Sequence, residues 1–162
     1  MLFFIELKSR RVYLAGCTPS PNKVWVTQQA RQVVWHLSEA QRQTGFLIHD
    51  RDAKFCAEFD SFFVSEGIVV VLTPFRAPQA NATAERWVRS VRRECLDQIL
   101  ILNQAHLTRV LNEYISYYSS RRPHQGLEQQ APMPFHVIPT GTIHRRKVLG
   151  GVLHDYFPNS CT

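Results

Sequence analysis

None of the four cysteines, Cys17, Cys56, Cys95 and Cys161, pairs with another in a CxxC spacing, and no histidine stands at a zinc-finger interval from any of them. The usual structural zinc frameworks are therefore missing. The thiols read as buried or idle groups of a reduced, cytoplasmic chain. Long apolar runs are missing too. The opening MLFFI meets Glu6 after five residues and has no basic region ahead of it, too short for a membrane span; it reads as a strand. Internal repeats and low-complexity tracts are absent, which sets aside solenoids and biased arrays. Lysine is scarce, supplying only four of the 19 basic residues. Aspartate is absent until Asp50.

What remains is an ordinary globular composition. The 162 residues are 44% hydrophobic and 20% charged, enough for one domain that buries about two thirds of its unfolded surface. The formal charge is +6, carried mostly by arginine. Arginine suits planar, bidentate contact with phosphates and base edges, so the bias points to nucleic acid. A basic surface with no such partner is the plain alternative.

Two short apolar runs, 2–7 and 11–17, joined by KSRR, predict a hairpin. Val26, Ala30, Val33 and Leu37 recur as one face of a helix that ends before Gly45. FLIHD and IVVVL predict strands buried on both faces. The segment between them predicts a short helix packing Phe55, Phe59, Phe62 and Phe63 into a core rather than onto bases. Beyond the loop TPFRAPQAN, the stripe Ala84, Val88, Val91, Cys95, Ile99 and Leu102 predicts a helix, with Glu85, Arg86, Arg89, Arg92 and Arg93 on its opposite side. Leu107, Val110, Leu111, Tyr114, Ile115 and Tyr118 predict another, stopped by Pro123. The expected organisation is a core over 1–130 and a proline-bearing, basic extension over 131–162, either a clamp on the domain or a mobile arm.

A carboxylate directly ahead of four arginines calls for a reason. A helix that only gripped phosphate would gain by losing Glu85, because like charges repel. Asp50 ends a predicted buried strand, where ligands favour the edge of an α/β sheet, and Glu85 opens the helix after the next strand. Two carboxylates beside arginines in a basic chain suit Mg²⁺ or Mn²⁺ held between hard oxygens and a phosphate, with the arginines holding the backbone in register. The plain alternatives stay open: a strand-end surface acid for Asp50, and for Glu85 a favourable first-turn acid paired with Arg89. Asp52 reads as a cap for the following helix rather than a ligand.

FLIHDRDAKF, TPFRAPQANATAERWVRSVRRECLD and YYSSRRPHQGL, in that order, resemble the second half of the integrase catalytic core of insertion-sequence transposases and retroviral integrases, from the first hairpin to about Leu127. The resemblance implies a ribonuclease H-like mixed α/β sheet flanked by helices and a catalytic Asp, Asp, Glu set with roughly thirty-five residues between the last two. Here 85 − 50 − 1 = 34 residues intervene. By resemblance Asp50 is the second metal ligand, Glu85 the third, Asn81 the DNA-side residue one turn before it, and Arg92 the basic position that meets DNA ends. Tyr118, Arg122, Pro123 and His124 match the later block, with Ser119 in place of its asparagine.

The family carries its first aspartate on a central strand just before the hairpin, and none occurs here. The resemblance thus implies an N-terminally truncated core, short of its middle strand and one ligand. The expected function is DNA integration or transposition through metal-dependent phosphodiester chemistry, with double-stranded DNA and either a second copy or a full-length transposase as partners and no membrane. For these residues alone, a catalytically incomplete, DNA-binding remnant is the expectation. An unrelated basic interaction domain is the third reading.

Overall fold

The computed structural model describes residues 1–74, 81–133 and 142–158. Most of the expected TPFRAPQAN loop and Cys161 lie outside them. The element order is β1 (Leu2–Ile5), β2 (Val12–Gly16), α1 (Lys23–Glu39), β3 (Phe46–His49), α2 (Ala57–Ser65), β4 (Val69–Leu72), α3 (Ala82–Glu94), α4 (Gln104–Ser120), β5 (Ile143–Val148) and β6 (Leu153–Pro158). This is a mixed α/β chain, as its pattern predicts. Its strands form three two-stranded sheets, β1 with β2, β3 with β4 and β5 with β6. The chain divides into two compact units, residues 1–3 with 15–86 and residues 4–14 with 87–162.

In the first unit, Asn22 starts α1 by accepting the Trp25 N–H at 2.8 Å, satisfying one of the donors a helix start leaves open. Val26, Ala30 and Val33 are buried as their period requires. A side chain at Gly16 would meet Gln29 Oε1 at 2.7 Å, so the end of β2 lies close against the side chains of α1. β3 and β4 pair in parallel, Phe46 opposite Val69 through His49 opposite Leu72. The crossover between them is α2, which packs on α1 and β4 and buries Phe59 and Phe63. The ring centroids of Phe55 and Phe63 lie 5.0 and 4.9 Å from that of Phe59, the core role expected of this cluster.

The two strands are not buried on both faces. Phe46, Ile48, Val69 and Val71 are exposed, Phe46 by 68%, and the register puts all four on one side of the pair. Apolar, β-branched composition predicts burial, but burial also needs a second layer on that side.

In the second unit, α3 ends at Glu94 rather than running on to Leu102. Cys95 leaves helical geometry, a 3-10 turn follows over Leu96–Gln98, and Leu100 and Leu102 are exposed. Asn103 explains the stop. Its side chain accepts the His106 N–H at 2.8 Å and starts α4, so the intervening residues become a connector. α3 buries Trp87 and Val91, with Cys95 just past its end buried too, while Ala84 and Val88 are only half-buried. α4 buries Val110, Leu111, Tyr114 and Tyr118 and ends before Pro123, as expected. β5 and β6 form an antiparallel hairpin whose turn carries positive φ at Leu149, Gly150 and Gly151. The Leu149 N–H donates to Glu113 Oε1 at 2.6 Å, and Asp155 lies 3.4 Å from Arg121 Nε. These contacts join the described hairpin to α4 and to the residue that follows it.

Candidate nucleic-acid and metal-binding site

Asp50 follows the last residue of β3 and is exposed. One of its carboxylate oxygens accepts the Asp52 N–H at 3.1 Å, leaving the other open. Its backbone is held from behind. His49, buried among Phe55 and Phe59, places Nδ1 2.6 Å from the Asp50 carbonyl oxygen and Nε2 2.9 Å from Asp60 Oδ1. The strand end thus has a fixed direction. The signal for His49 in the sequence was only its place beside Asp50, and Asp60 lies eleven residues on, so pattern reading missed both.

Asp52 does not cap α2. Its carboxylate accepts the Lys54 N–H at 2.9 Å and meets Lys54 Nζ at 3.0 Å, and those contacts, the backbone one first, hold its carboxyl below the usual range. The residue shapes the turn after β3, and the cap position of α2 is Cys56. Asp52 is thereby occupied, and Asp50 is the more open of the two acids.

Glu85 lies in the first turn of α3 and is exposed. No ion pair joins it to Arg89 or to any other base among the described residues. The ordinary reading of a first-turn acid predicted that pair. Both acids follow the carboxyl end of the parallel strands: the Thr73 N–H donates to the His49 carbonyl at 2.9 Å, so the chain leaves β3 and β4 at the same end. From there it runs directly to Asp50 and, through residues 75–80, to Asn81 and Glu85. No cluster of three or more His, Cys, Asp or Glu forms a metal cage among the described residues. Asp50 and Glu85 each carry a carboxylate, a hard oxygen ligand of the kind Mg²⁺ and Mn²⁺ take.

Arg86, Arg89, Arg92 and Arg93 are all exposed on α3, on the side opposite Trp87, Val91 and Cys95. Their ties are weak. Arg92 Nε is 3.7 Å from Asp97, and Arg93 is 3.4 Å from Glu94 with its side chain 76% exposed; such surface pairs contribute little and leave the guanidinium free to exchange partners. Asn81, half-buried, stands immediately before the helix.

Glu94 plays a different part. It accepts from Arg122 Nε at 2.8 Å and Nη2 at 2.7 Å, and from the Tyr114 hydroxyl at 2.8 Å. This two-pronged pair ties the end of α3 to the residues after α4. Burial pushes the Glu94 carboxyl up, but the Arg122 and Tyr114 hydrogen bonds outweigh it and hold the group below its ordinary value. Arg122 is raised in turn, first by its hydrogen bond to Glu94, and burial pushes the Tyr114 hydroxyl up. His124 packs edge-on against Tyr118 at 4.5 Å, with Nε2 3.2 Å from the Tyr118 carbonyl oxygen. The YYSSRRPHQGL block is a structural knot that fixes α3.

A sequence model described as "Integrase core domain" matches residues 66–132. Over those residues the chain is similar to an integrase core. It is also 32% identical over 77 residues to "Putative integrase ORF3" of Spiroplasma virus SpV1-C74. That alignment takes in 48% of this chain and 21% of the viral protein, so the chain spans about a fifth of that relative's length. The integrase core match includes Asn81, Glu85, the α3 arginines and the Glu94–Arg122 knot. It does not reach Asp50, whose assignment rests on its spacing from Glu85 and its place at the strand end. No helix among the described residues is long and apolar enough to cross a membrane.

Proposed function

We propose that the chain serves DNA integration or transposition, its 1–130 portion being a ribonuclease H-like integrase core and 131–162 an extension of it. Asp50 and Glu85 are its metal-ligating, catalytic carboxylates, and Asn81, Arg86, Arg89, Arg92 and Arg93 contact double-stranded DNA. The observation that carries this reading is Glu85, exposed and without an ion pair among the described residues, on a helix face otherwise made of exposed arginines. A bound Mg²⁺ or Mn²⁺ would neutralise charge at the scissile phosphate and stabilise the attacking and leaving oxygens. The residues do the rest: the arginines fix the phosphate backbone, and His49 with the Asp52 N–H aims Asp50.

No aspartate precedes Asp50, and the three-carboxylate set of the resemblance is one short. These 162 residues by themselves therefore bind DNA without cutting or joining it. A nicking and strand-transfer assay on mobile-element ends with Mg²⁺ or Mn²⁺ checks this. The expected result is background activity from the 162 residues, and restored activity, lost again on Glu85→Gln, when a strand bearing an aspartate is added ahead of Met1. Robust strand transfer by the 162 residues that survives Glu85→Gln would remove Glu85 from the reaction. DNA binding should weaken steeply with salt, and Arg92→Ala should lower the slope of log affinity against log salt by about 1.

A further inference from the structure

The basic run HRRK, residues 144–147, lies on β5, and the hairpin register sorts it onto two faces. His144, Arg146 and Val148 lie opposite Phe157, Asp155 and Leu153, while Arg145 and Lys147 lie opposite Tyr156 and His154; alternate residues of a strand face opposite ways. On the first face the charge is used within the protein. Arg146 Nη2 donates to Asp155 Oδ2 at 2.9 Å, and Asp155 is 4% exposed. His144 stacks with Phe157 at 6.1 Å. On the second face Arg145, Lys147 and Tyr156 are exposed, and no carboxylate pairs with Arg145 or Lys147 among the described residues.

We propose that this outward face of the β5–β6 hairpin, formed by Arg145, Lys147, His154 and Tyr156, is a further contact for the phosphate backbone of duplex DNA, distinct from the α3 arginines. The inference rests on the DNA-binding reading above and extends it to the C-terminal residues. Arg145 and Lys147 are two residues apart along an extended strand, about 6.7 Å, a spacing that addresses successive phosphates of one DNA strand rather than a single anion. Tyr156 sits directly across from Arg145 and offers a hydroxyl donor to the same backbone. A solvated face has no need of a tyrosine 63% exposed beside two unpaired cations. The face is also held in place, since the Glu113 carboxylate takes the Leu149 N–H of the hairpin turn. It presents hydrogen-bond donors in a row, which favours a regular polyanion over an acidic peptide.

The test is binding of the 162-residue chain to random-sequence duplex across a salt series. Arg145→Ala with Lys147→Ala should lower the log–log salt slope by about 1.8, at roughly 0.9 per phosphate contact. A charge-matched control, Lys8→Ala with Lys23→Ala, should leave it nearly unchanged. Both hairpin side chains are exposed and unpaired, so the variant keeps its fold. As a check free of mutation, bound duplex should protect Lys147 from acetylation more than Lys8 or Lys23. The proposal fails if the hairpin variant behaves like the control, if Lys147 acetylates equally with and without DNA, or if polyglutamate occupies the face as well as duplex does. Arg89→Ala with Arg92→Ala separates the two readings: a slope lowered by the hairpin variant alone retains this face and removes α3, and the reverse result retains α3 and removes this face.

Discussion

The knot around Trp87 in the second unit and the parallel pair β3–β4 in the first are both written in apolar residues, yet they end in opposite states. Trp87 is 1% exposed, its ring 5.6 Å from Tyr114 and 4.7 Å from Tyr118, and the neighbouring polar groups Glu94, Arg122 and the Tyr114 hydroxyl satisfy one another. β3 and β4 have the more hydrophobic strand sequence and leave one face open. Apolar composition records what a segment can bury, whereas burial itself depends on a partner layer. The knot brings its own partner, since α3 and α4 lie a few residues apart in sequence, while a parallel pair depends on elements from elsewhere.

If that contrast holds, stability should be concentrated in the knot. Trp87→Ala should cost about 3–5 kcal/mol by opening a cavity beside Tyr114 and Tyr118, measured by urea unfolding of the 162 residues. Arg122→Ala comes next, at roughly 3 kcal/mol, because it leaves the half-buried Glu94 carboxylate with the Tyr114 hydroxyl and a long contact to the exposed Arg93 side chain. Arg122→Lys should cost less, keeping the charge and losing the two-pronged geometry. A loss under about 0.5 kcal/mol for Trp87→Ala would dissolve the distinction between the two regions.

Acid should act on the same knot with a smaller effect. The folded pKa of Glu94 lies below its ordinary value of 4.5, held there by Arg122 and Tyr114 against the opposing effect of burial. Its stabilisation is therefore complete above the unfolded value and is lost as pH falls through the folded one. His124 adds to the same trend earlier: burial lowers its folded pKa from 6.5, so protonation favours the unfolded chain once pH drops below that value. Unfolding midpoints should fall in two stages on acidification. Glu94→Gln should shrink the second stage, leaving the smaller share carried by the surface acid Asp52, and should keep the first.

Local periodicity made α1, α2 and α4 legible in the sequence, and Pro123 marked an end that the structure keeps. The site was legible in part. Glu85 and the four arginines stood out because an acid among bases is electrostatically odd, and all five are exposed on α3. Asp50 was singled out as a candidate by its strand-end position, but its supports His49 and Asp60 were not, because a histidine–aspartate contact across eleven residues leaves no periodic mark. Trp87 was missed for a related reason: a stripe drawn through Ala84 and Val88 passes beside it, and the size of the tryptophan decides which face of α3 turns inward. The overlong α3 came from extending a helical period through residues 99–102, where Asn103 had already begun the next helix.

The smallest expected effect is the sharpest test of the open face. Phe46, Ile48, Val69 and Val71 share one side of the β3–β4 pair and are exposed by 68%, 43%, 53% and 39%. Replacing Phe46 with Ser and Val69 with Thr removes apolar surface that already meets water, so little transfer free energy is at stake, and Thr keeps the strand preference of a β-branched side chain. Unfolding free energy should change by less than about 0.5 kcal/mol. Self-association, followed by light scattering against concentration, should decrease, because an exposed apolar patch beside unpaired strand edges favours contact between chains. A loss of several kcal/mol from the same pair of substitutions would mean that this face is covered in solution. The asymmetry with the Trp87 knot would then reflect a missing layer rather than a difference in how the two regions are built.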